Sequence, residues 1–349
     1  MTTLFRSLAL LAAMFSSQTF STHAALAQAY PKAQAYPKAQ AYPKAQAYPK
    51  AQAYPNKTIR MIVTFAPGGP TDVIGRIIAQ KASESFGQQV VVENVPGGGG
   101  NIGVAAALRA PADGYTVVAV STGFIVNPSL YAKVPYDIRD FAPISLVAAS
   151  PNVITVNPSV PARTIMELVR YVKDNPGKHS YAQPGTGSSP HLAAELFKLK
   201  FGLDLTMVPF GSAAPAVTST IAGHTPIAFT ALPAAVANIQ DSKLRALAVL
   251  SSKRNAGLPD VPTMAEAGVP DQESDTVTGI VARAGTPPEI IDRWHREIAR
   301  IVAQPDVNAR LRALGFDPIA NSPAEFADRI RSEAAKWDQV ARDAKIRIE

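Results

Sequence analysis

Short apolar runs rich in β-branched residues recur along the chain after residue 57, and helical patterns separate several of them. The clearest helical pattern covers residues 73–82, where apolar side chains recur three or four positions apart. Strands that alternate with helices predict βαβ units and a mainly parallel sheet, so the expected fold class is α/β. The predicted strands are 59–65, 90–95, 115–120, 153–156, 205–210, 227–230, 244–250 and 277–282.

Two further helices are predicted near the end of the chain. The segments TPPE (286–289) and SPAE (322–325) both have the pattern of a capping box with proline at the first helical position. Apolar residues follow each box at helical spacing, and Trp294 and Trp337 belong to these apolar faces. Both tryptophans are therefore expected in the core and not against a ligand.

Four predicted strand-to-helix junctions are rich in glycine, proline and hydroxyl residues. Such a loop presents backbone N–H groups at a helix N-terminus, where the helix dipole adds partial positive charge, and glycine lets a ligand approach. In open α/β sheets, ligands bind at the carboxyl ends of strands, where these loops lie. Any one loop could equally be a tight turn with a helix cap, but two in each half predict a cleft for a carboxylate or phosphate. The junctions are 67–72 (PGGPTD), 96–103 (PGGGGNIG), 183–191 (QPGTGSSPH) and 209–212 (PFGS).

A dinucleotide site is the first alternative, because residues 98–103 satisfy the GxGxxG pattern. That pattern also needs an acidic residue about twenty positions further on. Neither Asp nor Glu occurs between Asp113 and Asp137. The motif is incomplete, and no nucleotide cofactor is predicted.

Acyl hydrolysis is a second alternative, because Ser188 and His191 lie close together in the chain. There is no GxSxG motif, however, and residues 189–191 fit a helix cap at Ser189 followed by a first-turn proline. The histidines are scattered and no HExxH motif occurs, so no metal site is predicted either.

The beginning of the chain has the pattern of a secretory signal peptide, with Arg6, an apolar run at 8–15 and a small-residue cleavage site at 25–27. Residues 1–27 are therefore predicted to be the signal, and the apolar run is too short to span a bilayer. The hexapeptide AQAYPK then repeats in tandem up to Asn56, which predicts a proline-spaced tether at 28–56. The mature protein is expected to be exported, soluble and periplasmic.

The charge distribution and the absence of cysteine exclude further classes of function and of chemistry. Five of the seven net positive charges lie in residues 1–56, so the remainder is nearly neutral and lacks the basic stripe that nucleic-acid binding needs. The chain contains no cysteine, which excludes disulfides, thiol chemistry and a lipid anchor on cysteine.

Segments across residues 54–349 resemble the Bug family, the extracytoplasmic solute receptors of tripartite tricarboxylate transporters. The resemblance is specific, because unrelated segments occur in the family's order. It rests on residues 54–55 (YP), 64–72 (TFAPGGPTD), 94–103 (NVPGGGGNIG), 114–116 (GYT), 127–137 (NPSLYAKVPYD), 181–197 (YAQPGTGSSPHLAAELF), 258–268 (LPDVPTMAEAG) and 282–291 (ARAGTPPEII).

The resemblance implies a type II periplasmic-binding-protein fold, in which two α/β lobes joined by crossover strands close on a solute. Lobe 1 would comprise residues 57–152 and 276–349, and lobe 2 residues 153–275. In the family, backbone groups of the loop after the first strand and of a facing loop in lobe 2 hold the solute carboxylate. The implied ligand-binding residues are Gly68, Gly69, Thr71, Asp72, Ser121, Thr122, Gly185, Thr186, Gly187, Ser188 and His191.

Two departures from the family pattern leave the solute open. The short loop 209–212 replaces a longer tyrosine-glycine loop, and the strand at 224–229 lacks an acidic residue. Asp72 also has alternative roles: it could cap its helix, pair with Arg76 one turn on, or hold the ammonium group of an amino-acid solute.

The expected protein is thus a monomeric, non-enzymatic receptor. It would deliver a mono-, di- or tricarboxylate, or an acidic amino acid, to the permease subunits of a tripartite tricarboxylate transporter. Two alternatives stay open: a ligand-sensing partner of a membrane sensor kinase, and an exported hydrolase.

Overall fold

The computed structural model describes residues 54–343 and 347. The predicted signal peptide and almost all of the predicted tether lie outside the described residues. Within the described part, no helix is long and apolar enough to cross a membrane. The strands are β1 (Ile59–Val63), β2 (Val90–Asn94), β3 (Thr116–Ser121), β4 (Phe141–Val156), β5 (Ser180–Gln183), β6 (Thr206–Pro209), β7 (Ile227–Ala231), β8 (Arg245–Val249), β9 (Asp275–Arg283) and β10 (Asp317–Pro318).

Helices follow most of these strands, as the sequence pattern predicts. They are α1 (Pro70–Phe86), α2 (Asn101–Ala107), α3 (Thr122–Leu130), α4 (Ile165–Lys173), α5 (Ser189–Phe201), α6 (Ala213–Ile221), α7 (Leu232–Gln240), α8 (Pro288–Val302), α9 (Pro305–Ala313) and α10 (Pro323–Asp343).

The strands form one mixed sheet in the order β2-β1-β3-β9-β4-β7-β5-β6, with β8 and β10 paired to β4. Pairing is parallel between β1 and each of β2 and β3, and between β5 and each of β6 and β7. The central strands β4 and β9 are antiparallel to their neighbours. The prediction of a mainly parallel sheet is therefore wrong at the centre of the sheet.

Strand β4 pairs with different strands along its length. Its residues 141–151 pair with β9, and residues 152–156 pair with β7. The sequence predicts only 153–156, because residues 141–152 contain Pro143 and Pro151 among alanines and serines of low β propensity. Pairing with β9 supplies the rest of the strand, and two register shifts lie within that pairing.

Separate apolar cores contain the two parts of this strand, since Ile144 belongs to one core and Ile154 to another. The fully buried Trp294 packs in the first core. Tyr181 and Phe229 belong to the second. Trp337 is also buried, with 5% of its surface exposed, so the expectation that both tryptophans lie in the core is confirmed.

The two predicted capping boxes have different outcomes. At α10, the Ser322 N–H donates to Glu325 Oε2 at 2.8 Å and the Glu325 N–H donates to Ser322 Oγ at 3.3 Å, as predicted. At α8, the N-cap is Pro287 and no side chain caps the helix. The hydroxyl of Thr286 donates instead to the Arg283 carbonyl oxygen at 2.7 Å, so the box at 286–289 is wrong.

Candidate functional site

Five helices begin around one small cavity between the lobes. Their N-cap residues all line it, and its volume is about 20 Å³, which is room for one water-sized group. At four of these helices, α1, α3, α6 and α7, no side chain caps the first turn. A helix N-terminus carries partial positive charge and N–H groups without intrahelical partners, so this convergence favours an anion. The five N-cap residues are Gly69, Ser121, Ser188, Ser212 and Ala231.

None of the residues around this cavity is charged. The hydroxyl residues Thr71, Ser121, Ser188 and Ser212 are each no more than 5% exposed. Partial positive charge from the helix N-termini, together with N–H and hydroxyl groups, is therefore what this lining offers to an anion. The other lining residues are Phe65, Pro70, Pro184, Pro190, Ala213 and Thr276.

The first junction, residues 67–72, leads from β1 into α1. The carboxylate of Asp72 accepts hydrogen bonds from the Gly68 N–H at 3.0 Å and from Asn94 Nδ2 at 2.8 Å. It also forms an ion pair with Arg76 at 2.9 Å. Burial favours the protonated acid, but these hydrogen bonds and the ion pair outweigh it and lower the pKa of Asp72. The carboxylate is therefore engaged within its own junction.

The third of the four predicted junctions, residues 183–191 and called the second junction below, leads from β5 into α5. Ser188 is the N-cap, and its Oγ accepts from the His191 N–H at 3.4 Å, so the expected cap at Ser189 is wrong by one residue. His191 Nδ1 accepts from the Gly187 N–H at 3.1 Å. Burial lowers the pKa of His191, which the nearby Glu195 carboxylate only partly opposes. Neutral imidazole is the form that can accept this hydrogen bond.

A second, larger cavity of about 210 Å³ adjoins the first, since Phe65 and Pro184 line both. Glycine-rich loops from both lobes form most of its wall, and none of its lining residues is charged. Those residues are Phe65, Gly97, Gly98, Gly99, Pro184, Gly185, Thr186, Pro209, Phe210 and Gly211.

The lobes contact each other directly around these cavities. The Tyr131 hydroxyl donates to the Thr186 carbonyl oxygen at 2.9 Å. On the other side, the Ser212 hydroxyl donates to the Pro67 carbonyl oxygen at 3.1 Å, and the Ala66 N–H donates to the Gly211 carbonyl oxygen at 3.1 Å. These hydrogen bonds connect segments that are distant in the sequence around the two cavities.

A buried polar network joins the crossover strands β4 and β9 to the helices at the cleft. Asn152 Nδ2 donates to Ser189 Oγ at 2.6 Å and to Ser274 Oγ at 2.8 Å, and its Oδ1 accepts from Thr276 Oγ1 at 2.8 Å. Strand β9 is also bonded to α3, because Thr122 Oγ1 accepts a hydrogen bond from the Val277 N–H at 3.0 Å. The first turns of α3 and α5 are thereby connected to the crossover strands β9 and β4.

The predicted ligand-binding residues fall into three groups. Gly69, Thr71, Ser121 and Ser188 line the smaller cavity, and Gly185 and Thr186 line the larger one. The others, Gly68, Asp72, Thr122, Gly187 and His191, line neither cavity, and several of them hold the loops in place.

Sequence reasoning missed several lining residues. Ser212 lies within the predicted junction 209–212 but was not among the predicted ligand-binding residues. Ala231 and Phe65 carry no polar group that would signal a site, and Thr276 lies on a crossover strand with no motif. Their places depend on the tertiary fold.

Comparison with known proteins gives consistent results. A model of the tripartite tricarboxylate transporter family receptors matches residues 74–346. Protein BugT of Bordetella pertussis (strain Tohama I) is 35% identical over 295 residues, which cover 84% of this chain and 90% of BugT. The structure of the periplasmic binding protein BugD has a TM-score of 0.82 at 32% identity and covers 85% of this chain and 100% of its own. The structure of R. palustris Rpa4515 with adipate has a TM-score of 0.81 at 33% identity. The match covers 84% of this chain and 98% of the Rpa4515 chain. These similarities confirm the expected two-lobed periplasmic-binding-protein fold.

Proposed function

Because this chain belongs to the tripartite tricarboxylate transporter receptor family and is a solute-binding receptor, we propose that it captures a small carboxylate in the periplasm. It then delivers the solute to the permease subunits of a transporter of this class. The adipate bound to the similar R. palustris protein supports a carboxylate as the solute.

The observation that carries the proposal is the convergence of five helix N-termini on one uncharged cavity. A carboxylate accepts several hydrogen bonds from N–H groups, and each charge-assisted bond contributes about 1.5 to 3 kcal/mol. The carboxylate group would bind the first turns of α1 and α5, near Gly69, Thr71 and Ser188. Because these donors are fixed by the helices, little reorganisation is needed on binding.

Closure of the lobes completes the site. We assign residues 57–152 and 276–349 to lobe 1 and residues 153–275 to lobe 2, which is consistent with the change of pairing partners along β4. A hinge at the crossover strands would open the cleft, and a bound solute would favour the closed form through contacts with both lobes.

The solute is released chemically unchanged in this proposal. The Ser188 hydroxyl is 2% exposed and caps α5, and His191 Nδ1 accepts a backbone N–H, so the pair is not arranged as nucleophile and base. Recovery of an unaltered carboxylate after long incubation with the protein would be the expected result.

A thermal-shift screen of the protein against small carboxylates, sugars and organic cations tests the proposal. A solute present at about one hundred times its Kd stabilises the fold by about 2.7 kcal/mol, which gives a clear rise in Tm. We expect such a rise with at least one carboxylate. A rise with sugars or cations alone would contradict the proposed function.

A further inference from the structure

The last copy of the hexapeptide repeat takes part in specific contacts. AQAYPK occurs four times at 27–50, and a fifth copy, AQAYPN, follows at 51–56. Tyr54, Pro55 and Asn56 of this fifth copy are within the described residues, and Pro55 is buried. The proposed function assigns no role to them.

The side chain of Tyr54 lies between the residues that precede β3 and helix α8, in a site formed by Gly114, Tyr115, Ile290 and Trp294 and called the Tyr54 site below. The Tyr54 hydroxyl donates to the Gly114 carbonyl oxygen at 2.7 Å and accepts from Trp294 Nε1 at 2.7 Å. The Tyr54 ring packs edge-to-face on the Tyr115 ring, with centroids 4.9 Å apart. One partner needs a donor and the other an acceptor, so the site fits tyrosine better than phenylalanine.

The residue after the Tyr–Pro pair adds two hydrogen bonds. The Asn56 N–H donates to the Tyr115 hydroxyl oxygen at 3.0 Å, and the Tyr115 hydroxyl donates to Asn56 Oδ1 at 2.8 Å. The four upstream copies have lysine at this position, which keeps the N–H but lacks the Oδ1 acceptor. They therefore offer the same tyrosine, proline and backbone N–H as the fifth copy. Their pairs are Tyr30–Pro31, Tyr36–Pro37, Tyr42–Pro43 and Tyr48–Pro49.

The spacing of the copies along the chain allows one to replace another. With an upstream copy at the Tyr54 site, the loop before β1 would be longer by six residues for each copy passed over. Each doubling of a flexible loop lowers the probability of its closure only about threefold. The cost of using an upstream copy is therefore small beside the contacts of a buried tyrosine.

We propose that the Tyr54 site is a binding site for the AQAYP segment and that the upstream repeats of the same chain are interchangeable ligands for it. When Tyr54 is removed, an upstream Tyr–Pro pair takes its place. The repeats are thus spare copies of one docking segment, and a change in their number leaves the site filled.

The test compares Tyr54→Ala in two backgrounds of equal length. One has the natural repeats, and the other carries Tyr30→Ala, Tyr36→Ala, Tyr42→Ala and Tyr48→Ala. In the four-alanine background, Tyr54→Ala loses the ring and both hydroxyl hydrogen bonds, so the equilibrium constant for folding from urea unfolding should fall at least about a hundredfold. With the natural repeats the fall should be at least about tenfold smaller.

The four upstream changes in a protein that retains Tyr54 are the matched control and should leave stability unchanged. Equal losses from Tyr54→Ala in the two backgrounds would overturn the proposal. Absence of a loss in both backgrounds would also overturn it, because the site would then contribute nothing that a repeat could restore.

The indole N–H signal of Trp294 in NMR spectra reports on the site itself, because Trp294 Nε1 bonds to the tyrosine hydroxyl. The chain has two tryptophans, and Trp337→Phe identifies the signal of the other. In Tyr54→Ala the Trp294 signal should stay near its wild-type position with the natural repeats and move in the four-alanine background. Equal displacement in both would contradict replacement by a repeat.

Protein concentration distinguishes a repeat of the same chain from one of a second copy. The Trp294 signal and the stability of Tyr54→Ala with the natural repeats should not depend on concentration, and sedimentation should show monomers. Restoration that appears only as dimers form would overturn the assignment to the same chain.

Discussion

The two facing junctions have similar sequences but are held in different ways. Both are glycine-rich, both contain a hydroxyl residue at the helix start, and both place a proline in the first turn. The first junction is held by the ionised Asp72, which binds Gly68, Asn94 and Arg76. The second is held by the neutral imidazole of His191, which accepts the Gly187 N–H.

The two junctions are alike in that neither leaves an unpaired negative charge at the cleft. At the first junction the one negative charge is neutralised by Arg76 outside the cavity lining, and at the second junction no negative charge is used. Both junctions contact the opposite lobe, the first at Pro67 and the second at Thr186, and the second junction is also bonded to the crossover strands through Ser189. We therefore expect disruption of the contacts that join the second junction to the opposite lobe and to the crossover strands to have larger effects than loss of the Asp72–Arg76 ion pair at the first.

The largest effect on solute affinity is expected from the variant Gly99→Ala. Gly99 faces the second junction from the opposite lobe. Gly99 has φ +62°, and a Cβ there would lie 2.3 Å from the Thr186 carbonyl oxygen. This overlap would keep the lobes apart and weaken solute binding by roughly a thousandfold, or about 4 kcal/mol, in calorimetry.

Gly98→Ala is the matched control. Gly98 has φ +55°, but its nearest contact for a Cβ is Asn101 Cβ at 3.4 Å in the same loop. It shares the backbone strain of Gly99→Ala without the contact between lobes, so its affinity should stay within about tenfold of wild type. Equal losses in the two variants would show that strain, and not closure, is responsible.

Asn152→Ala should give the next largest effect, on stability. It would leave the Thr276 hydroxyl without its buried acceptor and remove one hydrogen bond from each of the Ser189 and Ser274 hydroxyls, which still bond to each other. We expect the free energy of unfolding in urea to fall by about 2 to 3 kcal/mol. Ser274→Ala removes one member of the network and should cost about 1 kcal/mol. An Asn152→Ala protein as stable as wild type would argue against a role for the network in joining the second junction to the hinge.

Asp72→Asn tests the first junction. Asn keeps the shape and one acceptor, but it loses the ion pair with the half-exposed Arg76. The free energy of unfolding should fall by about 1 to 2 kcal/mol. Affinity for a carboxylate should change by less than about threefold, because the Asp72 carboxylate is engaged within the junction. A severe loss of affinity would mean that Asp72 binds the solute, as it would for the ammonium group of an amino acid.

The smallest expected effect is on the pH dependence of stability, through His191 of the second junction. Burial lowers the native pKa of His191 below its ordinary value of about 6.5. As the pH falls, the unfolded chain takes up the proton before the native protein does. The stability contributed by neutral His191 is therefore fully present above about pH 6.5 and declines below it, toward the native pKa.

His191→Gln provides the comparison, since its Oε1 can accept the Gly187 N–H without titrating. The dependence of stability on pH between about 7 and 5 should be weaker in this variant than in wild type. His179 and Asp275 also have shifted pKa values but are common to both proteins, so the difference isolates His191. Identical pH profiles would show that His191 is not held neutral by the second junction.

The sequence predicts the junctions well because their signals are local. Pairing of Asp72 with Arg76 was one of several roles open to that residue, and helical spacing of four allows it. The cap at Ser189 fails by one residue because Ser188 and Ser189 have the same propensity, and only the hydrogen bond to His191 distinguishes them.

The relative importance of the glycines could not be read from the sequence. The pair Gly68 and Gly69 suggests close approach by a ligand, but a Cβ on Gly69 would lie 3.5 Å from Ser212 Cβ, an ordinary contact. Gly99 is far more restricted, because a residue of the opposite lobe meets it. The full length of β4 and the place of Thr276 at the cavity could not be predicted from the sequence either, because both depend on pairing between distant segments.

The central claim is that helix N-termini in an uncharged cleft hold the carboxylate of the solute. The most direct test is calorimetry with the tightest-binding carboxylate from the thermal-shift screen and with its primary amide, which has nearly the same shape but no charge. Loss of charge at several convergent N–H donors should weaken binding at least about a hundredfold, or about 2.7 kcal/mol. An amide that binds as tightly as the carboxylate would contradict the account.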